Sequence, residues 1–227
     1  MARRRTDVLQ KNSLTLAPME PLTKTQLEVW ESDKNMLLHG CAGTGKTFIS
    51  LYLALDDIEK GEYKKITIIR SVVPTREMGF LPGTEKEKAR VYEQPYVAIF
   101  QELFGRGDDP YGQLKTKGVV DFVTTSHIRG VTLHDSVVIV DECQNMTFHE
   151  LDSIITRIGR NCRIIFCGDF FQSDLRTSGS ATSTGINKFM DILKKMDEFD
   201  FIEFGVSDIV RSDLVKSYLI TKYKEGI

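Results

Sequence analysis

The chain has 227 residues and a formal net charge of -2; 41% of its residues are hydrophobic and 27% are charged. This balance is typical of a globular protein with one sizeable core, and it excludes nucleic-acid binding through overall positive charge. No apolar run approaches the roughly 18 residues that a membrane-spanning helix needs, and no apolar core of a secretory signal follows Arg3–Arg5. We therefore expect no membrane partner and a cytoplasmic location.

The order of elements along the chain predicts one α/β domain. Residues 1–21 are polar with Pro18 and Pro21, which indicates an N-terminal tail or an extended lead-in. From Thr23 onward, short apolar strands alternate with helices, a pattern that predicts a mostly parallel sheet with helices on both faces. The predicted strands are residues 36–39, 65–70, 119–124, 137–141, 163–167 and 201–204, and the predicted helices are residues 47–58, 147–158 and 212–224.

The alternation of strands and helices breaks between residues 71 and 118. This stretch contains Gly79-Phe80-Leu81-Pro82-Gly83, then a charged run at 85–90, then an amphipathic segment at 92–104. Too few residues remain here for a second core. We therefore predict an insertion within a single domain that runs from residue 22 to residue 227.

A phosphate-binding loop pattern joins the first predicted strand to the first long helix. The sequence Gly40-Cys41-Ala42-Gly43-Thr44-Gly45-Lys46-Thr47 matches the P-loop motif in full, and Phe48 extends the predicted nucleotide-binding segment. The glycines let several backbone N–H groups point at phosphate oxygens, and the helix N-terminus adds its positive end. Lys46 is expected to reach the outer phosphates, and the Thr47 hydroxyl to ligate Mg²⁺. A chance match is on the order of one in a hundred.

Two acidic residues follow the most apolar predicted strand, residues 137–141. Asp141 ends that strand and is expected to hold Mg²⁺ through water beside the phosphates. The next residue, Glu142, can accept a proton from an attacking water, which favours hydrolysis of ATP over transfer of its phosphate to a small acceptor. An ordinary acidic turn is the competing interpretation.

Two glutamines are candidates for reading the nucleotide. Gln172 follows the strand at 163–167 in Gly168-Asp169-Phe170-Phe171-Gln172 and is expected to sense the γ-phosphate; an ordinary loop glutamine is the equal alternative. Gln26 lies in Leu22-Thr23-x-x-Gln26, and its amide matches the N6/N7 edge of adenine, which favours ATP over GTP. For Gln26 the competing interpretation is an exposed glutamine on a helix.

In this order the motifs resemble superfamily-one helicase motors and, more closely, the PhoH family of P-loop ATPases. Two residues depart from the family pattern: Cys143 replaces the usual Ala, and Ser71 stands where Pro often follows Arg70. The resemblance implies an ATPase with RNA-linked activity, often in a ring, and the length is similar to that of compact phage-borne members, which act in a host cytoplasm. Further family-like segments are Glu87-Lys88, Arg129-Gly130-x-Thr132-Leu133, Asp141-Glu142-x-Gln144-Asn145, Thr156-Arg157-x-Gly159 and Asp208-Ile209-Val210-Arg211.

The single predicted core raises the question of what completes the site. Helicase-type motors place ATP between two cores, and an arginine from the second is worth roughly 10³–10⁵ in rate. We expect a homo-oligomer, a hexamer by family resemblance, in which head-to-tail contacts close a ring. Arg211 is the candidate catalytic arginine, acting across the subunit boundary because its own P-loop is expected to lie too far away. The alternative is a surface ion pair with Asp208 or Asp213, worth about 0–1 kcal/mol.

Single-stranded RNA or DNA is a possible partner at the edge of the insertion, where Phe80 or Tyr92 offers a stacking face. The usual interpretation of such a charge run is a solvated helix face balanced by Glu85 and Glu87. Three functions stay open: a nucleic-acid-stimulated ATPase or helicase, an ATP-driven switch or assembly factor acting on a protein partner, and a small-molecule kinase, against which Glu142 argues. The basic residues of this edge are Arg70, Arg76, Lys86, Lys88 and Arg90.

Overall fold

The described part of the chain contains a six-stranded sheet in which every pairing is parallel. The structure is a computed structural model that describes residues 9, 14–71, 85–105, 109–169 and 181–225. Across the sheet the strand order is β3-β2-β4-β5-β1-β6. The strands are β1 (Asn35–Gly40), β2 (Lys65–Arg70), β3 (Val120–Thr124), β4 (Ser136–Asp141), β5 (Cys162–Cys167) and β6 (Phe199–Phe204).

Helices cover both faces of the sheet. Leu38 of β1 belongs to a core cluster with Ile49 and Leu53, whereas the preceding residue, Leu37, belongs to a second cluster with Leu151 and Phe189. Neighbouring strand residues point to opposite faces, so the two clusters are the two sides of one sheet, and the predicted fold class is confirmed. The helices are α1 (Lys24–Glu31), α2 (Lys46–Lys60), α3 (Glu85–Leu103), α4 (Pro110–Thr116), α5 (Phe148–Ile155), α6 (Ala181–Leu193) and α7 (Asp213–Lys224).

The strands predicted from apolar runs agree with the observed ones to within two residues at each end. The helix α5 begins after Thr147, whose side chain accepts a hydrogen bond from the Glu150 N–H while the Glu150 side chain bonds back to Thr147, the predicted capping box. That helix ends at Ile155, three residues before the predicted end. No prediction was made for α4 or α6, which carry the chain between strands.

The insertion does not form a core of its own in the part that the structure describes. Within α3, Tyr96 packs on Phe122 of β3 with ring centroids 5.8 Å apart. Phe100 packs edge-on against Tyr111 of α4 at 5.2 Å. The predicted amphipathic segment is therefore the C-terminal part of a longer helix that lies directly on the main sheet.

The lead-in segment also contacts the main core. Leu14 and Leu16 are buried in the cluster that contains α2 and α3, and the Ala17 N–H donates to the Leu103 carbonyl at the end of α3. The domain boundary at residue 22 stays a prediction, but residues 14–20 pack against the domain that follows them.

The strand order places three strand ends at one edge of the sheet. Strand β5 lies between β1, which leads into the P-loop, and β4, which ends at Asp141. Ligands bind beyond the carboxyl ends of parallel strands, so this edge is where a nucleotide site is expected. Among the helices in the described ranges, none is both long enough and apolar enough to cross a bilayer.

Candidate nucleotide-binding site

The P-loop is shaped by its contact with the end of β6. The Cys41 N–H donates to the Phe204 carbonyl at 2.9 Å, and Gly40 has a φ of +111°. A β-carbon on Gly40 would overlap the Phe204 carbonyl, so only glycine fits this close approach. The chain then curls through Gly43 and Gly45, both with positive φ, and enters α2 at Lys46. The backbone thus has the curled form that a phosphate cradle requires.

The Lys46 ammonium lies inside this curl. It is 6% exposed, donates to the Cys41 carbonyl at 2.7 Å, and makes an ion pair of 2.5 Å with Asp169 at the end of β5. The Thr44 hydroxyl donates to the same Cys41 carbonyl at 3.0 Å. Lys46 is therefore positioned at the candidate phosphate site, with Asp169 as its anionic partner.

Thr47 and Asp141, the two predicted Mg²⁺ ligands, are in direct contact. The Thr47 hydroxyl donates to Oδ1 of Asp141 at 2.7 Å, and the Tyr96 hydroxyl donates to Oδ2 at 2.8 Å. Burial, followed by the charge of Asp141, raises the pKa of Tyr96, so its hydroxyl stays a proton donor. A hydroxyl and a carboxylate side by side are the hard oxygen ligands that Mg²⁺ prefers, and the residues fit such an ion.

Glu142 is held by an amide from its own loop. Its backbone is left-handed, with φ of +53°, and its Oε2 accepts a hydrogen bond from Nε2 of Gln144 at 2.7 Å. The other end of that amide, Oε1, accepts from the Asp169 N–H at 3.2 Å. Gln144 therefore links the loop after β4 to the loop after β5, a role that its place in the family-like motif did not reveal.

The surroundings of Glu142 favour a proton acceptor. Burial and the neighbouring charge of Asp141 raise the pKa of this carboxyl, while Arg70 and the bond from Gln144 lower it. A carboxylate with a raised pKa is a stronger base than an exposed one. A space of about 20 Å³ lies between Lys46, Thr47, Asp141 and Glu142, enough for one water-sized particle.

A larger cavity of about 630 Å³ extends from the P-loop toward α1 and α3, a volume in the usual range for small-molecule sites. Its far end is apolar and aromatic: the rings of Trp30 and Tyr52 lie there with centroids 4.8 Å apart and planes tilted by 36°. Its other end is lined by the P-loop and by Asp141 and Glu142. The cavity therefore has a polar end for phosphates and an aromatic end that suits a nucleobase. Residues from the other elements that line it are Met19, Glu20, Leu22, Gln26, Arg70, Pro95, Ile99, Glu102, Asp169, Val210 and Arg211.

Gln26 is buried, so its interpretation as an exposed helix residue is wrong. Only 6% of it is exposed; its Nε2 donates to the Thr44 carbonyl at 3.0 Å, and its Oε1 accepts from the Leu22 N–H at 2.8 Å. The amide thus ties α1 to the P-loop. Because an amide offers two N–H groups and two lone pairs, one of each is left for a base, and the adenine-reading role stays a prediction.

Arg211 lies on its own P-loop, which corrects the expectation that this loop is too far away. A β-carbon on Gly43 would lie 3.0 Å from Cγ of Arg211, and the Val210 N–H donates to the Gly43 carbonyl at 3.0 Å. The physical reason is the strand order: β6 pairs with β1, so the segment after β6 runs over the loop after β1. The carboxylate of Asp208, one of the two ion-pair partners considered for Arg211, accepts a hydrogen bond from the Gly205 N–H at 2.8 Å.

A further contact to the P-loop comes from α7 and was not predicted. The Tyr223 hydroxyl accepts a hydrogen bond from the Ala42 N–H at 2.9 Å. Leu219 approaches the loop as well, 3.4 Å from a β-carbon placed on Gly43. Nothing in the spacing of the motifs indicates such a contact, because it depends on where the last helix docks.

The predicted basic edge is described only in part. The Arg70 guanidinium lies 5.7 Å from the centroid of the Tyr92 ring, and Arg90 is exposed. Arg76 and Phe80 lie outside the described residues, as does Gln172, and the side chains of Lys86 and Lys88 are outside them too. Arg70 and Tyr92 are thus the two described members that stand together beside the nucleotide cavity.

Comparison with known proteins places these features in a family. The family model described as "PhoH-like protein" matches residues 16–223. A PhoH-like protein of Bacillus subtilis (strain 168) is 34% identical over 177 residues, 78% of this chain and 54% of that protein. One of Mycobacterium leprae (strain TN) is 31% identical over 223 residues, 96% of this chain and 61% of that protein. The chain thus spans between half and two thirds of the length of these relatives.

Among solved structures, the large terminase of a thermophilic bacteriophage is similar in fold. It has a TM-score of 0.55 at 14% sequence identity, and the match covers 88% of this chain and 50% of the terminase. This likeness agrees with the α/β fold described above. With a family model that covers most of its residues, the chain belongs to the PhoH-like protein family.

Proposed function

We propose that this chain is a Mg²⁺-dependent ATPase whose turnover is linked to single-stranded nucleic acid, with RNA as the favoured partner. The observation that carries the proposal is the pair of carboxylates at the P-loop. Asp141 lies 2.7 Å from the Thr47 hydroxyl, and Glu142 is oriented by Gln144 beside a space the size of one water. A base next to a cation site is the arrangement for hydrolysis of a phosphate bond.

In the proposed reaction Lys46 exchanges Asp169 for the outer phosphates of ATP. Thr47 and Asp141 hold Mg²⁺, which when bound neutralises charge on the β- and γ-phosphates. Glu142 takes a proton from a water whose oxygen forms a bond to the γ-phosphorus as the bond to the ADP oxygen breaks. Gln172 is proposed to sense the γ-phosphate, Gln26 to read adenine, and Arg211 to stabilise the transferring phosphate within its own subunit.

The link to nucleic acid is supported by the edge at the end of β2. Arg70 lines the cavity, and its guanidinium also lies over the ring of Tyr92. A single-stranded nucleic acid whose base stacks on that ring would therefore contact a residue of the nucleotide site. A ring of identical subunits, six by the family resemblance, belongs to the same proposal.

An ATP-driven switch on a protein partner is the second candidate. The observation in its favour is the exposed apolar surface of α7, where Leu214 is 81% and Tyr218 is 65% exposed. This helix also contacts the P-loop through Tyr223, so a partner on α7 would sense the nucleotide.

One assay separates the two candidates. ATP turnover is measured with Mg²⁺ or EDTA, and with single-stranded RNA, single-stranded DNA or neither. We expect Mg²⁺-dependent turnover that rises with RNA and is abolished by Lys46→Ala and by Glu142→Gln, the second of which should still bind ATP. Turnover that is unchanged by either nucleic acid favours the switch, and normal turnover in Glu142→Gln would show that Glu142 is not the base.

A further inference from the structure

The helix α3 reaches the cation site through one side chain. Tyr96 is fully buried, and its hydroxyl donates to Oδ2 of Asp141 at 2.8 Å. Within the same helix Pro95 and Ile99 line the nucleotide cavity. The predicted insertion is therefore part of the wall of the site and not only a neighbour of it.

The two hydrogen bonds to Asp141 act on different oxygens. Thr47 donates to Oδ1 and Tyr96 donates to Oδ2. A carboxylate anchored at one oxygen can still turn about its Cβ–Cγ bond, whereas one anchored at both is fixed in plane and direction. Asp141 is 4% exposed, so water has little access to replace a lost donor, and a buried carboxylate oxygen without a donor is costly.

We propose that Tyr96 is a positioning residue for the divalent cation: by fixing Asp141, it makes the affinity of the nucleotide site for Mg²⁺ depend on the seating of α3. The inference rests on the proposed function in one respect, namely that Thr47 and Asp141 hold the cation that accompanies ATP. Partners that orient metal ligands typically account for 10–100-fold in metal affinity.

The competing explanation is that Tyr96 only fills the core. Its ring packs on Phe122 at 5.8 Å, so a structural role exists in any case. Tyr111 offers a matched comparison from the same cluster. It is also buried, it packs on Phe100, and its hydroxyl donates to Glu93 at 3.3 Å instead of to the cation site.

The experiment compares Tyr96→Phe with Tyr111→Phe, each of which keeps the ring and removes one hydroxyl. Mn²⁺ binding to the protein in the presence of ADP is followed by loss of the free-ion paramagnetic resonance signal. ADP binding in EDTA is measured separately through the rise in melting temperature. The first readout reports the cation without hydrolysis, and the second reports the nucleotide without the cation.

We expect Tyr96→Phe to weaken Mn²⁺ binding about 10-fold and to leave ADP binding in EDTA within twofold of the wild type. Tyr111→Phe should change neither. Wild-type cation affinity in Tyr96→Phe, or an equal loss in Tyr111→Phe, would overturn the inference while leaving the ATPase proposal intact. If the wild type itself takes up no Mn²⁺ with ADP, the cation site assigned under the proposed function is wrong, and the inference fails with it.

Discussion

The two walls of the nucleotide cavity are held in different ways. The phosphate wall, Gly40–Lys46, has its main chain bonded to other main chain: the Cys41 N–H donates to the Phe204 carbonyl, and the Gly43 carbonyl accepts from the Val210 N–H. Gln26 and Tyr223 each add one side-chain hydrogen bond to the same main chain. The carboxylate wall, Asp141 and Glu142, is fixed by side chains: Thr47 and Tyr96 donate to Asp141 from two helices, and Gln144 donates to Glu142 from the same loop. Backbone bonds survive most substitutions of the partner residue, whereas side-chain bonds do not.

This difference predicts where single substitutions act. A substitution at a residue that contacts the phosphate wall only through its main chain, such as Val210, should alter turnover only if its side chain also contacts the nucleotide. On the carboxylate wall, a residue that never touches the nucleotide should still alter turnover, because the orientation of Asp141 or Glu142 depends on it.

Arg211 tests the phosphate wall with the largest expected effect. Arg211→Ala should lower turnover about 10³-fold, the lower end of the range for an arginine that stabilises phosphoryl transfer, while the backbone contact of Val210 keeps the P-loop in place. Steady-state ATP hydrolysis measures the loss. Lys216→Ala, also on the segment that follows β6, is the control and should retain turnover.

Mixing variants decides in which subunit Arg211 acts. Because Arg211 packs on its own Gly43, a mixture of Arg211→Ala with Lys46→Ala subunits should regain no activity even when the subunits exchange. Recovery of turnover in the mixture would place the arginine at the neighbour's nucleotide.

Gln144 tests the carboxylate wall. Gln144→Leu should lower turnover about 10-fold, less than the 10²–10⁴ that a general base contributes, since Glu142 remains but loses its orientation. The hydrogen bond from the Gln144 side-chain amide lowers the pKa of Glu142, so loss of this hydrogen bond raises that pKa. The base must be ionised to act, and the acidic limb of the pH–rate profile should therefore move to higher pH. Asn145→Ala, an exposed neighbour, should leave the profile in place; an unmoved limb in Gln144→Leu would contradict the assignment.

Gln26 tests how much the phosphate wall depends on a side-chain hydrogen bond. Gln26→Ala removes the hydrogen bond to the Thr44 carbonyl, and the loss of one buried hydrogen bond of about 1 kcal/mol should lower the affinity for ATP roughly fivefold. If Gln26 also reads adenine, the affinity for GTP should fall less. Competition binding of both nucleotides measures this, with exposed Glu28→Ala as control. Equal losses would leave Gln26 as a support of the P-loop alone.

Glu150, in the first turn of the helix that follows the carboxylate wall, gives the smallest expected effect. It caps α5 and accepts from Thr125 and Ser71 at the ends of β3 and β2. Burial raises its pKa, but the hydrogen bonds from Thr147, Thr125 and Ser71 outweigh burial and lower it. A lowered pKa in the folded state contributes stability above the ordinary carboxyl pKa, and this contribution is lost as pH falls through the lowered value.

Glu150→Ala should therefore lower the free energy of unfolding by about 1 kcal/mol near neutral pH, and this difference from the wild type should become smaller in acid. Urea unfolding at several pH values measures it. Glu150→Gln keeps the shape of the cap, and a cost that stays constant with pH in both variants would contradict the role of the charge.

The same contrast explains how much the sequence could predict. Motif spacing and apolar runs predicted the P-loop, the carboxylates Asp141 and Glu142 and the six strands, because these follow from local pattern and the period of strands and helices. Tyr96 and Tyr223 were missed as site residues, because each acts through a contact between elements distant in the chain. Gln144 was missed because its two partners, Glu142 and the Asp169 N–H, come together only where β4 and β5 end side by side. Arg211 was predicted to lie too far from the P-loop of its own chain, because the pairing of β6 with β1 cannot be deduced from a list of strands.

The ion pair between Lys46 and Asp169 has a consequence for how nucleotide affinity responds to ionic strength. This ammonium is paired with a carboxylate whose side chain is 40% exposed. An arriving phosphate replaces that partner, so the number of ion pairs at Lys46 does not change, and the displaced carboxylate is hydrated instead. Added salt screens the old pair as well as the new one. Nucleotide affinity should therefore fall only weakly with salt, and more steeply once Asp169→Asn leaves the ammonium without its resident counter-charge.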